Sequence, residues 1–155
     1  ETAGGIAQAR HLLGEEAFIA VSGDIWCPHF DYSELLSVLE DEDPWGNPLP
    51  HDKRDLAWLY LVKNPPFHPE GDFALNNFAI ANEGQPKLTF ANIGVYRPEM
   101  FDGIAPGSHA KLGPLLRQYA DQGRIGGDVY RGDWHNVGTI DQLEALNLPP
   151  QGTRP

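Results

Sequence analysis

Ala17-Phe18-Ile19-Ala20-Val21-Ser22-Gly23-Asp24 is an apolar run that closes on a carboxylate. Its length suits a buried strand, and Gly23 interrupts it. One anionic side chain therefore stands at the carboxyl end of a strand, where open α/β sheets bind their ligands. Far downstream, Trp134-His135-Asn136-Val137-Gly138-Thr139 offers a second polar group beside a Gly-Thr turn that starts a helix. If the two segments meet, they can hold a divalent cation against phosphates.

Outward from this run, strands and helices alternate. Thr2 is placed to cap a helix over 3–13, with Ile6, Ala9, Leu12 and Leu13 on one face and Gly14 as its stop. Asp31 or Ser33 opens a short helix carrying Leu35, Leu36 and Leu39. Residues 40–55 are acidic and Pro-rich and read as a surface loop. The continuous apolar run 56–62 reads as a strand buried on both faces if the sheet is parallel there. Prolines 65, 66 and 69 prevent its continuation. Residues 73–75 and 78–80 suggest a hairpin around Asn76-Asn77, and 88–96 another long strand. Pro98 suits the first turn of a helix with Met100 and Phe101. A helix over 112–122 has Leu112, Leu115, Leu116 and Tyr119 at helical spacing and Gly123 as its stop. A strand over 125–130 and a helix over 140–146, capped by Thr139, complete the pattern. Residues 148–155 are expected to be a frayed tail. The alternation predicts an α/β fold in one domain spanning 1–155.

The composition narrows the function. The chain has 155 residues, 41% of them apolar, and a net charge of −11. Nucleic acid is a poor partner for such a surface, because binding its backbone requires Lys and Arg. A small phosphorylated ligand is compatible with it, since one metal ion inverts the local charge. No apolar run reaches the roughly 18 residues that a membrane helix needs. The first residues resemble no secretory leader, and the lone Cys27 can form no internal disulfide. A cytoplasmic protein is expected. Neither a Ser-His-Asp nor a Cys-His constellation is evident, and Cys27 lacks a base motif. The first strand is not followed by the Gly-rich phosphate-cradling loop expected of a nucleotide-binding sheet.

A series of motifs nevertheless occurs in a familiar order. Glu1-Thr2-Ala3-Gly4-Gly5-Ile6 precedes Val21-Ser22-Gly23-Asp24-Ile25-Trp26. Leu61-Val62-Lys63-Asn64-Pro65-Pro66 and His68-Pro69-Glu70-Gly71-Asp72-Phe73-Ala74-Leu75 follow. Leu88-Thr89-Phe90-Ala91-Asn92-Ile93-Gly94-Val95-Tyr96 leads to Tyr130-Arg131-Gly132-Asp133-Trp134-His135-Asn136-Val137-Gly138-Thr139. Over nearly its whole length the chain resembles the sugar-1-phosphate nucleotidyltransferases. Within them it is most similar to the uridylyltransferases of bacterial cell-wall recycling that act on N-acetylmuramate 1-phosphate. The resemblance implies the C-terminal portion of a Rossmann-like sheet, mostly parallel but mixed, flanked by helices. That family opens with a strand and a Gly-rich loop that hold the nucleoside triphosphate. We therefore expect this chain to be the second half or two-thirds of such an enzyme, needing that segment or a companion chain.

The same resemblance distributes roles. Asp24 matches the metal-binding aspartate and is the expected catalytic residue, since a hard cation such as Mg²⁺ takes carboxylate oxygen. Asn136 stands where many members carry a second acidic ligand; its amide oxygen can coordinate but carries no charge. Asp133 or His135 is the alternative second ligand. Gly4 and Gly5 match the segment against the nucleotide base, where a missing Cβ permits close approach. Asn64 and Gly71 match the sugar-facing side, and Thr89 is a further candidate there. The implied reaction is transfer of a uridylyl group from UTP to a sugar 1-phosphate, with release of pyrophosphate. The competing expectation is a non-catalytic sugar-phosphate-binding or regulatory remnant. A glycosyltransferase fares worse, because no Asp-x-Asp closes a strand and Asp41-Glu42-Asp43 lies in a loop.

Overall fold

A computed structural model describes residues 1–33, 35–39, 41–42 and 45–147. Residues 148–155, where a frayed tail is expected, lie outside it. Eight strands and three α-helices are described: α1 (Thr2–Leu13), β1 (Phe18–Val21), β2 (Ile25–Trp26), β3 (Ala57–Val62), β4 (Phe73–Asn76), β5 (Ala79–Ala81), β6 (Lys87–Tyr96), α2 (Leu112–Asp121), β7 (Ile125–Val129), β8 (His135–Asn136) and α3 (Ile140–Asn147). The main sheet has six strands in the order β1-β6-β3-β7-β5-β4, with a further pairing of β6 to β4. The architecture is α/β, a mixed sheet flanked by helices.

Parallel pairs do not predominate. Among the described strands, β3 and β7 are the parallel pair, and every other pairing is antiparallel. The cause is the placement of β6. Strands β1, β3 and β7 share one direction, but β6 is inserted against them between β1 and β3. The β4-β5 hairpin reverses the chain ahead of β6 and makes that insertion possible.

The sheet separates two apolar layers, and the period-two alternation of β6 supplies both. Phe90 and Tyr96 face the layer that includes Leu59, Leu61, Phe101, Leu116 and Ala3, over which α1 and α2 lie. Ala91, Ile93 and Val95 face the layer of Phe30, Leu35 and Leu39. Each fully buried Leu or Ile contributes about 1.5–3 kcal/mol relative to exposure. In the second layer Phe30 meets the rings of Tyr60 and Tyr130 at 4.9 Å each. The acidic loop is tied to the sheet from the other direction. Arg97 pairs with Asp41 at 2.9 Å and donates to the carbonyls of Asp55 and Leu39.

Local signals set most boundaries. Gly14 and Gly123 end α1 and α2 with φ of +75° and +65°, the left-handed backbone that glycine adopts at least cost. Thr139 and Gln142 cap α3 reciprocally: Gln142 N–H donates to Thr139 Oγ1, and Thr139 N–H donates to Gln142 Oε1. The hairpin turn is centred one residue later than expected. Asn77 and Phe78 both have positive φ, 48° and 68°, as a type I′ turn requires. The short helices expected near Leu35 and Pro98 are single 3₁₀ turns, Leu35–Val38 and Pro98–Phe101. No helix among the described residues is long and apolar enough to cross a membrane.

Candidate active site

Two strands too short to stand out in the sequence assemble the site. β2 follows the turn at Gly23-Asp24, and β8 precedes the helix-opening turn at Gly138-Thr139. They pair antiparallel, with Ile25 opposite Asn136 and Trp26 opposite His135. The Asp24 carbonyl accepts the Val137 N–H at 2.6 Å, which locks the two segments at one register. The Asp24 carboxylate is consequently held against Asn136, whose Nδ2 donates to Asp24 Oδ2 at 3.4 Å. The Trp26 and His135 rings meet beside them at a tilt of 53°, with centroids 5.4 Å apart.

The donor set favours a cation held largely by its substrate. Asp24 is exposed and offers one carboxylate. The Asn136 oxygen accepts the Gly138 N–H at 3.1 Å, so its amino group faces Asp24. Presenting that oxygen to a cation requires turning the amide and releasing Gly138. No cluster of three or more His, Cys, Asp or Glu suited to a metal occurs among the described residues. Mg²⁺ bound with phosphates uses only one or two carboxylates, and the pair fits that mode.

A cavity of about 700 Å³ opens beside this pair. Ser22, Gly23 and Asn136 border it, as do Thr89 and Asn92 from β6 and Leu112 and Arg117 from α2. Asn92 was not singled out by sequence. It lies where the pairing of β3 with β6 slips, and its φ is +56°. Such an irregularity re-aims a side chain, a frequent device beside functional sites. A second cavity of about 520 Å³ lies between Lys63-to-Phe67 and α3, and shares Phe67, Trp134 and Asn136 with the first. Trp134 is fixed between them by donating to the Ala91 carbonyl at 2.9 Å.

The expected sugar-facing residues come together, but as a brace. Asn64 Nδ2 donates to the carbonyls of Pro69 and Lys87, and its Oδ1 accepts the Thr89 hydroxyl at 2.9 Å. Gly71, with φ of +67°, lies against the same groups; a Cβ there would sit 2.8 Å from the Lys87 carbonyl and 2.9 Å from Asn64 Oδ1. Thr89 also borders the larger cavity, whereas Asn64 and Gly71 do not. The sequence reading also passed over Asp72. It accepts the Phe90 N–H at 2.8 Å and His68 Nε2 at 3.1 Å, and both Asp72 and His68 border the cavity. The His68-to-Asp72 spacing carried that signal.

Asn64→Ala is accordingly expected to destabilise the protein by about 1–3 kcal/mol, because it leaves the buried Thr89 hydroxyl and the half-buried Lys87 carbonyl without their partner. Thermal unfolding measures this. A fully stable variant with a sugar-selective loss of activity would instead make Asn64 a direct contact.

The two glycines near the start are positioned differently. Gly4 is buried within α1, where a Cβ would overlap the Ser108 carbonyl oxygen, and its N–H donates to the Ala110 carbonyl at 3.1 Å. Its close approach is to the protein's own backbone. Gly5 is exposed, with nothing within 4 Å of the place a Cβ would occupy. Neither borders the cavity, although Glu1 and Thr2 do. Cys27 is half-buried, and burial pushes its thiol up from the ordinary value. It is a poor nucleophile at neutral pH.

No protein-family profile matches the chain. Among curated proteins, it is 42% identical over 147 residues to the N-acetylmuramate α-1-phosphate uridylyltransferase of Neisseria meningitidis serogroup B, covering 93% of this chain and 59% of that protein. It is 31% identical over 147 residues to the protein of the same name from Caulobacter vibrioides, covering 89% of this chain and 56% of the relative. The chain thus spans somewhat over half the length of these relatives. Among solved structures, a protein described as a glucose-1-phosphate thymidylyltransferase from Bacillus anthracis superimposes with a TM-score of 0.67 at 16% identity, covering 94% of this chain and 58% of that one. At that identity the likeness is one of fold.

Proposed function

We propose that the chain is a member of the sugar-1-phosphate nucleotidyltransferases and forms the acceptor-side part of an enzyme that transfers a uridylyl group from UTP to N-acetylmuramate 1-phosphate, as its similarity to the two relatives suggests. One observation carries this reading: the pairing of β2 with β8 sets Asp24 against Asn136, which with Ser22 and Gly23 borders a cavity of about 700 Å³. The two relatives named above support the choice of nucleotide and sugar. The 155 residues contain no Gly-rich triphosphate loop. In this account that loop comes from sequence outside them.

The chemistry asks little covalent work of the protein. An oxygen of the sugar phosphate attacks the α-phosphorus of UTP in line, and pyrophosphate leaves. The attacking group is already anionic, so no general base is required. Asp24, with Asn136 turned toward it, would hold a Mg²⁺ ion, which when bound neutralises charge on the phosphates. The braced 64–71 loop and the Asn92 irregularity keep the cavity wall fixed, so that the acceptor is oriented before reaction. The site faces a protein with a net charge of −11. That places the burden of accepting anions on local groups.

The test is pyrophosphate release from UTP with four acceptors: the 1-phosphates of N-acetylmuramate, N-acetylglucosamine, glucose and mannose. It uses the protein together with the triphosphate-binding segment. N-acetylmuramate 1-phosphate is expected to be turned over fastest. Equal rates, or a preference for glucose 1-phosphate, would leave the family assignment without this substrate. Absence of turnover with every acceptor would favour a non-catalytic binding module.

A further inference from the structure

We infer that Arg117 is the residue that recognises a carboxylate on the sugar, and so selects a sugar 1-phosphate carrying a second acidic group. This inference rests on the reading above, in which the cavity holds the acceptor. Arg117 borders that cavity from α2. Its guanidinium carbon lies 4.9 Å from the centroid of the Phe73 ring. Its Nη1 donates to the Asp72 carbonyl at 3.2 Å and to Asn82 Oδ1 at 3.3 Å. Asn82 is fixed in turn, donating to the Arg117 carbonyl at 2.8 Å and to Asp121 Oδ1 at 2.7 Å. The side chain is therefore oriented in advance, through one nitrogen and one ring face.

What remains of the guanidinium is unused. Nε and Nη2 have no acceptor among the described residues, and no carboxylate there lies within ion-pair distance of Arg117. An anchored arginine with free N–H groups suits paired hydrogen bonds to a carboxylate. Little of its side-chain freedom is left to lose on binding. Lys111 borders the same cavity but is a flexible point charge without that fork.

The chemistry of the acceptor supplies the match. N-acetylmuramate 1-phosphate has two anionic groups, the phosphate and the carboxylate of its lactyl ether. N-acetylglucosamine 1-phosphate has only the phosphate. The phosphate belongs with Asp24 and Asn136 in the reading above, so a second fixed cationic group in the same cavity answers a second anion. Glu1 and Asp72 also border the cavity, and an unpaired carboxylate entering it would meet like charge.

The experiment measures binding, so that it needs no turnover. Calorimetric titrations with Mg²⁺ and without UTP compare the two sugar 1-phosphates on the unaltered protein, Arg117→Gln and Arg117→Lys. The unaltered protein is expected to bind the muramate compound about tenfold or more tightly, the scale of one charge-assisted pair. Arg117→Gln should reduce that ratio to near one while leaving the glucosamine compound almost unchanged. Arg117→Lys, which keeps the charge and loses the fork, should give an intermediate ratio even if the Gln variant proves unstable. Equal weakening of both compounds would make Arg117 a phosphate-binding or merely structural residue and overturn the inference. A ratio that survives Arg117→Gln, no preference in the unaltered protein, or binding of neither compound would overturn it too. Selective binding without pyrophosphate release would instead refute the catalytic reading and leave the role of Arg117 standing.

Discussion

Asp24→Asn is expected to lower uridylyl transfer by about a hundredfold or more, the scale of losing a key electrostatic stabiliser of the transition state. Asp24 is exposed, and its carboxylate meets only the Asn136 amide among the described residues. Its backbone carbonyl, not its side chain, holds β2 to β8 through Val137. The substitution should therefore leave thermal unfolding within about 0.5 kcal/mol of the unaltered protein, as for surface changes away from structural features. Steady-state pyrophosphate release and a melting curve on the same preparation separate the two effects. Unchanged turnover with unchanged Mg²⁺ dependence would remove Asp24 from the site. Lost turnover with a collapsed melting curve would make it structural.

Substitution at Asn136 is expected to move the metal requirement in opposite directions. Asn136→Asp places two carboxylates where an amide and a carboxylate now stand 3.4 Å apart. Without a cation the two repel, and with one they bind it jointly. The Mg²⁺ concentration for half-maximal turnover should fall about tenfold, since two anionic ligands hold a hard cation better than one. The variant should also melt lower in chelator than in excess Mg²⁺, by more than the unaltered protein does. Asn136→Ala should raise the half-maximal concentration, and it removes the acceptor for Gly138 N–H. If neither substitution shifts the Mg²⁺ titration, Asn136 is only a turn residue.

The sequence made the elements legible where a local rule governs them. Gly14 and Gly123 end their helices as expected, and Thr139 opens α3 with a reciprocal cap that includes Gln142. The order of sheet strands was less legible. Apolar runs such as Phe18–Val21 and Ala57–Val62 state that a strand is buried, not which neighbour covers it. The insertion of β6 depends on long-range pairing, so the share of parallel pairs was overstated. Strands β2 and β8 have two residues each, too few for any periodicity, yet their pairing brings the candidate residues together.

The candidate residues divide along the same line. Asp24 and Asn136 stood out as candidates because a carboxylate closing a strand and a polar turn opening a helix are local features. That they touch is tertiary. Asn64, Gly71 and Thr89 were legible as a group that belongs together. Their role was not, because a loop residue that faces a ligand and one that braces the loop have the same spacing. Asp72 and Arg117 reach the cavity from β4's approach and from α2, 45 residues apart in the chain. No motif links them.

The central claim is that the meeting of β2 and β8 forms a divalent-cation site. Mn²⁺ titrated into the isotopically labelled 155-residue protein tests it directly, through paramagnetic broadening of backbone amide signals. The amides of Asp24, Ile25, Val137 and Gly138 are expected to broaden first, and Asp24→Asn to abolish this selectivity. Broadening centred on the acidic loop around Asp41, or none that is selective, would contradict it.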